Sequence, residues 1–286
     1  MIMIKRKTRI ITAISLLVAA ALVLFLFCIR PLQYPASPGT EAVRASIAKT
    51  GRVVHAGGFL TTESGERVSY TNSYDALLNM YEQGNRVCEI DIRETADGVL
   101  VCAHGTDEVF ADGCDLPAET AVDEYLETRI YGQFQPMTVE MLAAFMRAHP
   151  DLLIITDIIH QENEAVCRKI AEAYPNLRER FIIQIYHESE YEPIRRLGFP
   201  HIIYTLYRAD DQERNFWKIS RYAETHELVA ITTQKEQFYL WKNQLALPHC
   251  GVPVMFHTVD DEAEYREMLR KHYVLGVYTD ITERIS

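Results

Sequence analysis

Eight short β-rich runs, amphipathic helical patterns between them, and one uncharged apolar run near the N-terminus predict an α/β protein. The class is a (βα)8 TIM barrel preceded by one N-terminal transmembrane helix. Of the 286 residues, 1–9 are basic through Lys5, Arg6, Lys7 and Arg9, and 10–29 carry no charge. As an α-helix rising about 1.5 Å per residue, such a run matches the roughly 30 Å of a bilayer core. A cleavable signal peptide has an apolar region of about 7–15 residues that ends in small residues. This run ends instead in Leu26-Phe27-Cys28-Ile29-Arg30, so 10–29 is read as an uncleaved single-pass anchor. Four basic residues before the span, against Arg30 just after it, put 1–9 in the cytoplasm and the rest on the extracytoplasmic side of the cell membrane. The stretch 30–50, with its prolines, is read as a linker, and 51–286 as one barrel domain.

Strands are predicted at 52–55, 87–92, 152–158, 181–186, 201–207, 228–232, 253–258 and 274–280, where β-branched and aromatic residues concentrate. Helical spacing of apolar residues falls between them, at 72–83, 139–148, 164–174, 191–197, 212–225, 236–245 and 262–271. Eight alternations in this length favour closure into a barrel over an open sheet. The run 99–104 is a further strand-like segment in the long connection after the second barrel strand. Trp217 and Trp241, on helical patterns, are read as packing residues.

Composition narrows the partners. With 40 acidic against 29 basic residues and a net charge of −11, the chain does not offer the basic surface that nucleic acid requires. Cys102 and Cys114 are the nearest cysteine pair outside the apolar run, and their spacing fits no zinc pattern.

In barrels of this class chemistry sits where strands end and the following loops begin, so charged residues and histidines there are the candidates. His55 ends the first predicted strand. Glu89 and Asp91, two residues apart on the second, point to one face of it. Asp157 lies near the end of the third. Carboxylates gathered on one face repel and resist burial unless a cation lies between them, and oxygen-only ligands suit Mg²⁺ or Ca²⁺ rather than zinc.

These residues stand in longer motifs. Val54-His55-Ala56-Gly57-Gly58 is followed by Thr71-Asn72-Ser73, and then by Glu89-Ile90-Asp91-Ile92-Arg93-Glu94-Thr95-Ala96-Asp97-Gly98 and, at Val101-Cys102-Ala103-His104, a second histidine. This pattern resembles the glycerophosphodiester phosphodiesterases, whose blocks are His-Arg-Gly, Glu-Asn-Thr and Glu-x-Asp-x-x-x-Thr-x-Asp-Gly with a later His-Asp. Phe256-His257-Thr258-Val259-Asp260 and Leu275-Gly276-Val277-Tyr278-Thr279-Asp280 look like that family's last two strands, and the resemblance runs from about Arg52 to Thr282. It implies that Glu89, Asp91 and Asp157 hold a divalent cation, Ca²⁺ or Mg²⁺, and that His55 and His104 serve as general acid and base. The implied ligand is a small phosphodiester or a phospholipid headgroup, with a neighbouring substrate hydroxyl attacking phosphorus.

The sequence departs from the family where phosphate would be held. Its Arg is Ala56, its Glu-Asn-Thr is Thr71-Asn72-Ser73, Gly105 follows His104 in place of Asp, and its third acidic block, Glu-x-Lys, reads Asp157-Ile158-Ile159. Arg208, after the predicted strand 201–207, is the substitute cation, and Gln184 and His257 complete the expected substrate-binding set. An Asp as third ligand also resembles the spider-venom phospholipases D, which implies a cyclising reaction on phospholipid headgroups as an alternative. A binding barrel without turnover is a further reading, motivated by Ala56 and Ile159. A glycosidase fits less well, because its two carboxylates flank a bond while Glu89 and Asp91 converge on one point. Asn72 is read as a loop-shaping and capping residue, and Asp280 as structural.

Overall fold

The structure, a computed structural model, describes residues 14–22, 34–104, 120–207, 209 and 214–283. Of the expected anchor, 14–22 are helical, while 10–13 and 23–29 lie outside the described residues. Among the described residues no helix is long and apolar enough to cross a membrane.

All eight predicted barrel strands form. They are β1 (Arg52–Val54), β4 (Val87–Glu94), β7 (Leu153–Asp157), β8 (Phe181–Ile185), β9 (Ile202–Thr205), β10 (Ala230–Gln234), β11 (Val254–His257) and β12 (Val274–Thr279). Each pairs in parallel with its neighbour, and β1 closes the circle by pairing with both β12 and β4. Strand alternation sorts the side chains. Val53, Val87, Ile155, Ile182, Ile203, Ala230, Met255 and Tyr278 form the apolar filling of the barrel, while Val54, Cys88, Ile90, Ile154, Ile183 and Ile202 belong to the larger cluster that packs under the helices. The period of two therefore turns one β4 stripe, Val87, Glu89 and Asp91, from apolar at the bottom to acidic at the C-terminal mouth.

Part of the stretch read as a linker is a plug. Helix Pro38–Ala48 starts at Ser37, whose Oγ accepts from Thr40 N at 3.3 Å, with Pro38 in the first turn where a missing N–H costs nothing. Its buried Val43 and Ile47 join the filling of the barrel from below, each worth about 1.5–3 kcal/mol of burial. Arg44 ties it down by donating to the carbonyls of Val229 at 2.9 Å and Leu228 at 2.8 Å. Prolines and polar residues masked this helix in the sequence because only one narrow stripe of it is apolar.

The connection after β4 is a small antiparallel excursion. β5 (Leu100–Cys102) runs back along β4, and β6 (Met137–Thr138) along β5. A hairpin of β2 (Leu60–Thr61) and β3 (Arg67–Val68) packs Leu60 and Val68 against Ala76, Ile130 and Phe134. β5 falls within the predicted strand-like run 99–104, whereas β6 and the β2–β3 pair have no counterpart in the sequence reading. Trp217 and Trp241 do not pack as expected, being 50 % and 79 % exposed. Helix Phe216–Thr225 buries Phe216, Ile219, Ser220 and Ala223, and that choice of face turns Trp217 outward.

Candidate active site

The acidic end of the β4 stripe meets β7 in register, Glu89 opposite Ile155 and Asp91 opposite Asp157. This pairing brings one carboxylate oxygen from each of Glu89, Asp91 and Asp157 within 4.8 Å of the others. Glu89 is 2 % and Asp91 5 % exposed. Burial, and then the neighbouring Asp91 charge, drive the Glu89 pKa well above its ordinary value, with Asp157 adding to the rise and His55 opposing it. Two buried carboxylates and the half-buried Asp157 in this space call for proton uptake or a bound cation, and as an all-oxygen donor set they fit a hard divalent ion.

Loop geometry supports the carboxylates from behind. Ala56 sits at φ 45°, ψ 33°, in the left-handed region, and its N–H donates to Glu89 Oε2 at 3.0 Å. The two glycines that follow are required by the same turn. A Cβ on Gly58 would lie 2.4 Å from Thr282 Cγ2 and 3.0 Å from the carbonyl oxygen of Asp280, and a Cβ on Gly57 would lie 2.6 Å from Ala76 Cβ. Asn72, 1 % exposed, grips Asp91 from two sides: its Nδ2 donates to Asp91 Oδ2 at 2.8 Å, and its Oδ1 accepts from Asp91 N at 3.0 Å. Its expected capping role belongs to Ser73, whose Oγ accepts from Ala76 N at 3.1 Å. Tyr186 donates its hydroxyl to Asp157.

His104 arrives by way of the β4–β5 turn. Thr95 Oγ donates to Asp97 Oδ1 at 2.6 Å and accepts from Val99 N at 3.0 Å, and Gly98 takes φ 85°. The Thr-x-Asp-Gly block is thus a turn-former that reverses the chain. β5 then carries Ala103 back until its N–H donates to the Asp91 carbonyl at 3.1 Å, which places the following His104 over the acidic cluster. His55 enters from the opposite side, with Tyr70 between the two histidines, its ring centroid 4.5 Å from His55 and 5.3 Å from His104. Nothing in the sequence pattern singled out Tyr70.

His55 has a partner that the structural reading of Asp280 missed. His55 Nδ1 lies 2.8 Å from Asp280 Oδ1, leaving Nε2 4.0 Å from Glu89 Oε2. Asp280 is itself set by Asp260, whose Oδ1 accepts from Asp280 N at 2.8 Å and Thr279 Oγ at 2.9 Å. Burial alone would lower the His55 pKa. The hydrogen bond that His55 donates to Asp280 and the charges of Glu89, Asp280 and Asp91 outweigh it and raise the value to about 10. The position of Asp280 just past the last strand was the available signal, since His55, Asp157, Tyr186 and His257 also end or directly follow barrel strands. Asp280→Asn is expected to lower turnover roughly 10²–10⁴-fold, as loss of the orienting carboxylate does in serine-protease triads, and to move the His55-governed limb of the pH profile to lower pH. An unchanged profile would make Asp280 merely structural.

Above the cluster lies a cavity of about 160 Å³ whose walls include His55, Tyr70, His104, Gln184, Thr205 and His257. Gln184 is there as expected, although its amide is engaged, Nε2 donating to Thr156 O and Oε1 accepting from Tyr278 Oη, both at 3.3 Å. His257 leaves Nε2 without a hydrogen-bond partner, and burial, then the nearby His55, lower its pKa to about 4, so it faces the cavity as a neutral ring. Among the described residues lining the cavity there is no lysine or arginine. Arg208, the expected substitute, lies outside the described residues. Cys88 and Cys102 are buried thiols, and burial keeps both protonated.

No family model and no curated protein matches the chain. Solved structures do. A glycerophosphodiester phosphodiesterase of Parabacteroides distasonis superimposes with a TM-score of 0.61 at 19 % identity, over 81 % of this chain and 93 % of its own. One from Thermotoga maritima gives 0.60 at 18 %, over 81 % and 95 %. A phosphodiesterase of Oleispira antarctica, solved with the product sn-glycerol-3-phosphate, gives 0.56 at 14 %, over 80 % and 92 %. At these identities the likeness is one of fold.

Proposed function

We propose that this chain is a metal-dependent phosphodiesterase acting on a glycerophosphodiester or a related lipid or cell-envelope phosphodiester. The observation that carries the reading is the convergence of Glu89, Asp91 and Asp157 under two histidines, at the mouth of a barrel shared with glycerophosphodiester phosphodiesterases. Glu89, Asp91 and Asp157 would hold Ca²⁺ or Mg²⁺, which neutralises charge on the phosphate's non-bridging oxygens when bound. His55 and His104, on either side of Tyr70, exchange protons with the attacking and leaving oxygens. Asp280 holds Nδ1 of His55, so Nε2 is the atom that carries out its half of the exchange. Asn72 fixes the rotamer of Asp91, and Tyr186 that of Asp157. The neutral wall of Gln184, Thr205 and His257 faces the esterified group. Ala56 contributes only its backbone N–H, to Glu89, so the side chain lost from the family pattern leaves the metal cradle intact.

Hydrolysis of a panel of glycerophosphodiesters and lysophospholipid headgroups by the purified chain, with Ca²⁺, Mg²⁺ or chelator, tests this directly. Metal-dependent release of a phosphomonoester or cyclic phosphate is expected, and a cyclic product assigns the phospholipase D-type course. No turnover of any member under any metal condition leaves a binding barrel without catalysis.

The membrane anchor belongs to the same proposal. The uncharged run 10–29, preceded by four basic residues, supports a single-pass protein with its catalytic domain outside the cytoplasm. Protease added to intact cells is expected to digest the domain and spare a short N-terminal fragment. Survival of the whole chain until lysis would overturn that topology.

A further inference from the structure

At the N-terminal end of the barrel, opposite the carboxylates, lies a groove of about 750 Å³, far larger than the catalytic cavity. Its walls include Lys49, Arg52, Arg86, Arg266, Asp151 and Tyr265. Four cations against one carboxylate is an unexpected lining in a chain of net charge −11. Two of the four have partners: Arg86 Nε lies 2.6 Å from Asp151 Oδ2, and Arg266 pairs with Glu262.

The other two are uncompensated. Lys49, exposed just past the end of the plug helix, forms no ion pair among the described residues. Arg52 is the more demanding case, being only 6 % exposed. Its Nη1 donates to two neutral acceptors, Asn85 Oδ1 at 3.2 Å and Thr282 O at 3.0 Å, its Nε is buried without a partner, and its Cζ stands 5.9 Å from the Tyr265 ring centroid. No carboxylate pairs with it among the described residues. A buried guanidinium surrounded only by dipoles is an unbalanced charge, and natural interiors pair such groups.

We propose that this groove binds an oxyanion of the phosphate class, held between Arg52 and Lys49 with Arg86 and Arg266 on its rim. A phosphate monoester carries about 1.5 to 2 negative charges near neutral pH, which matches the two uncompensated cations. Arginine's planar fork suits its tetrahedral oxygens. The group could reach the groove free in solution or on a lipid headgroup, and the chemistry of recognition is the same. In barrels of this type the N-terminal face ordinarily serves stability, so the site is distinct from the catalytic one and does not depend on it.

Calorimetric titration of the full chain in detergent, with chelator present, provides the test. The two probes are inorganic pyrophosphate and monomeric dioctanoyl phosphatidate. Binding of at least one probe is expected, weakened 10-fold or more by Lys49→Glu combined with Arg266→Glu, two exposed changes that leave the core untouched, and abolished by Arg52→Gln. Glu89→Gln should leave this affinity unchanged. Binding of phosphatidate alone identifies a lipid headgroup as the source, and binding of both identifies the phosphate group itself. If neither probe binds, or if the Lys49→Glu, Arg266→Glu protein binds as tightly as the wild type, the proposal fails even where Arg52→Gln does not fold.

Discussion

His55→Ala and His104→Ala are each expected to lower kcat on a phosphodiester substrate by roughly 10²-fold or more, the ordinary scale of a general acid–base contribution, with fold and cation affinity retained. The expectation follows from position. Both rings line the 160 Å³ cavity, and neither belongs to the three-carboxylate cluster, so losing one removes a proton carrier without opening the metal cradle. A substrate with a nitrophenyl leaving group needs no proton on departure. It is expected to rescue the variant that lacks the acid and to leave the other impaired, and that asymmetry assigns the two roles. Full activity in both variants would end the catalytic reading of the pair. Loss of cation binding in the His55 variant would mean that its contact with Glu89, 4.0 Å away, is part of the cradle instead.

The residues that proved legible in the sequence are those whose signal is periodic. Glu89 and Asp91 share a face because a strand repeats every two residues, and all eight barrel strands declared themselves through runs such as Phe181–Ile185, buried along their whole length. What stayed hidden depends on chain reversals or on distance. Tyr70 reaches its place between the histidines through a left-handed backbone, φ 65°, that nothing in its sequence neighbourhood announces. The Asp280 contact with His55 joins residues 225 positions apart, and exists because β12 and β1 are neighbours at the seam of the closed barrel. Asn72 was misread for a similar reason. A polar residue before a helix reads as a cap, and only the pairing of two amide contacts with Asp91 shows what it holds. Arg52 looked like the unremarkable start of a strand, because burial of a charge without its counterion cannot be read from residue types.

Substitution of the cradle itself gives the other large effect. Glu89→Gln, Asp91→Asn and Asp157→Asn are each expected to weaken divalent-cation binding and to lower turnover roughly 10²-fold or more, since a bound cation supplies several kcal/mol of transition-state stabilisation and each 1.36 kcal/mol is tenfold in rate. Stability carries an independent signature of the same cluster. Burial and Asp91 raise the Glu89 pKa in the folded protein well above 4.5. A carboxyl with a raised folded pKa contributes its full stability below the unfolded value, and that contribution is lost as pH rises through the folded one. With chelator present, the melting temperature should therefore fall as pH climbs from about 4.5, the ordinary glutamate value. Added Ca²⁺ or Mg²⁺ should arrest the fall, because an ion that binds only the folded state stabilises it by mass action and favours the ionised carboxylates. His55 acts with the same sign, its window running from 6.5 to about 10. Glu89→Gln should flatten the fall from its lower end and, by removing a charge that raises His55, draw in its upper end as well. Scanning calorimetry across this range, with and without cation, makes the measurement, and titration calorimetry gives the affinities. Unchanged cation affinity in all three variants, or identical pH dependence with and without the ion, would remove the metal from the site.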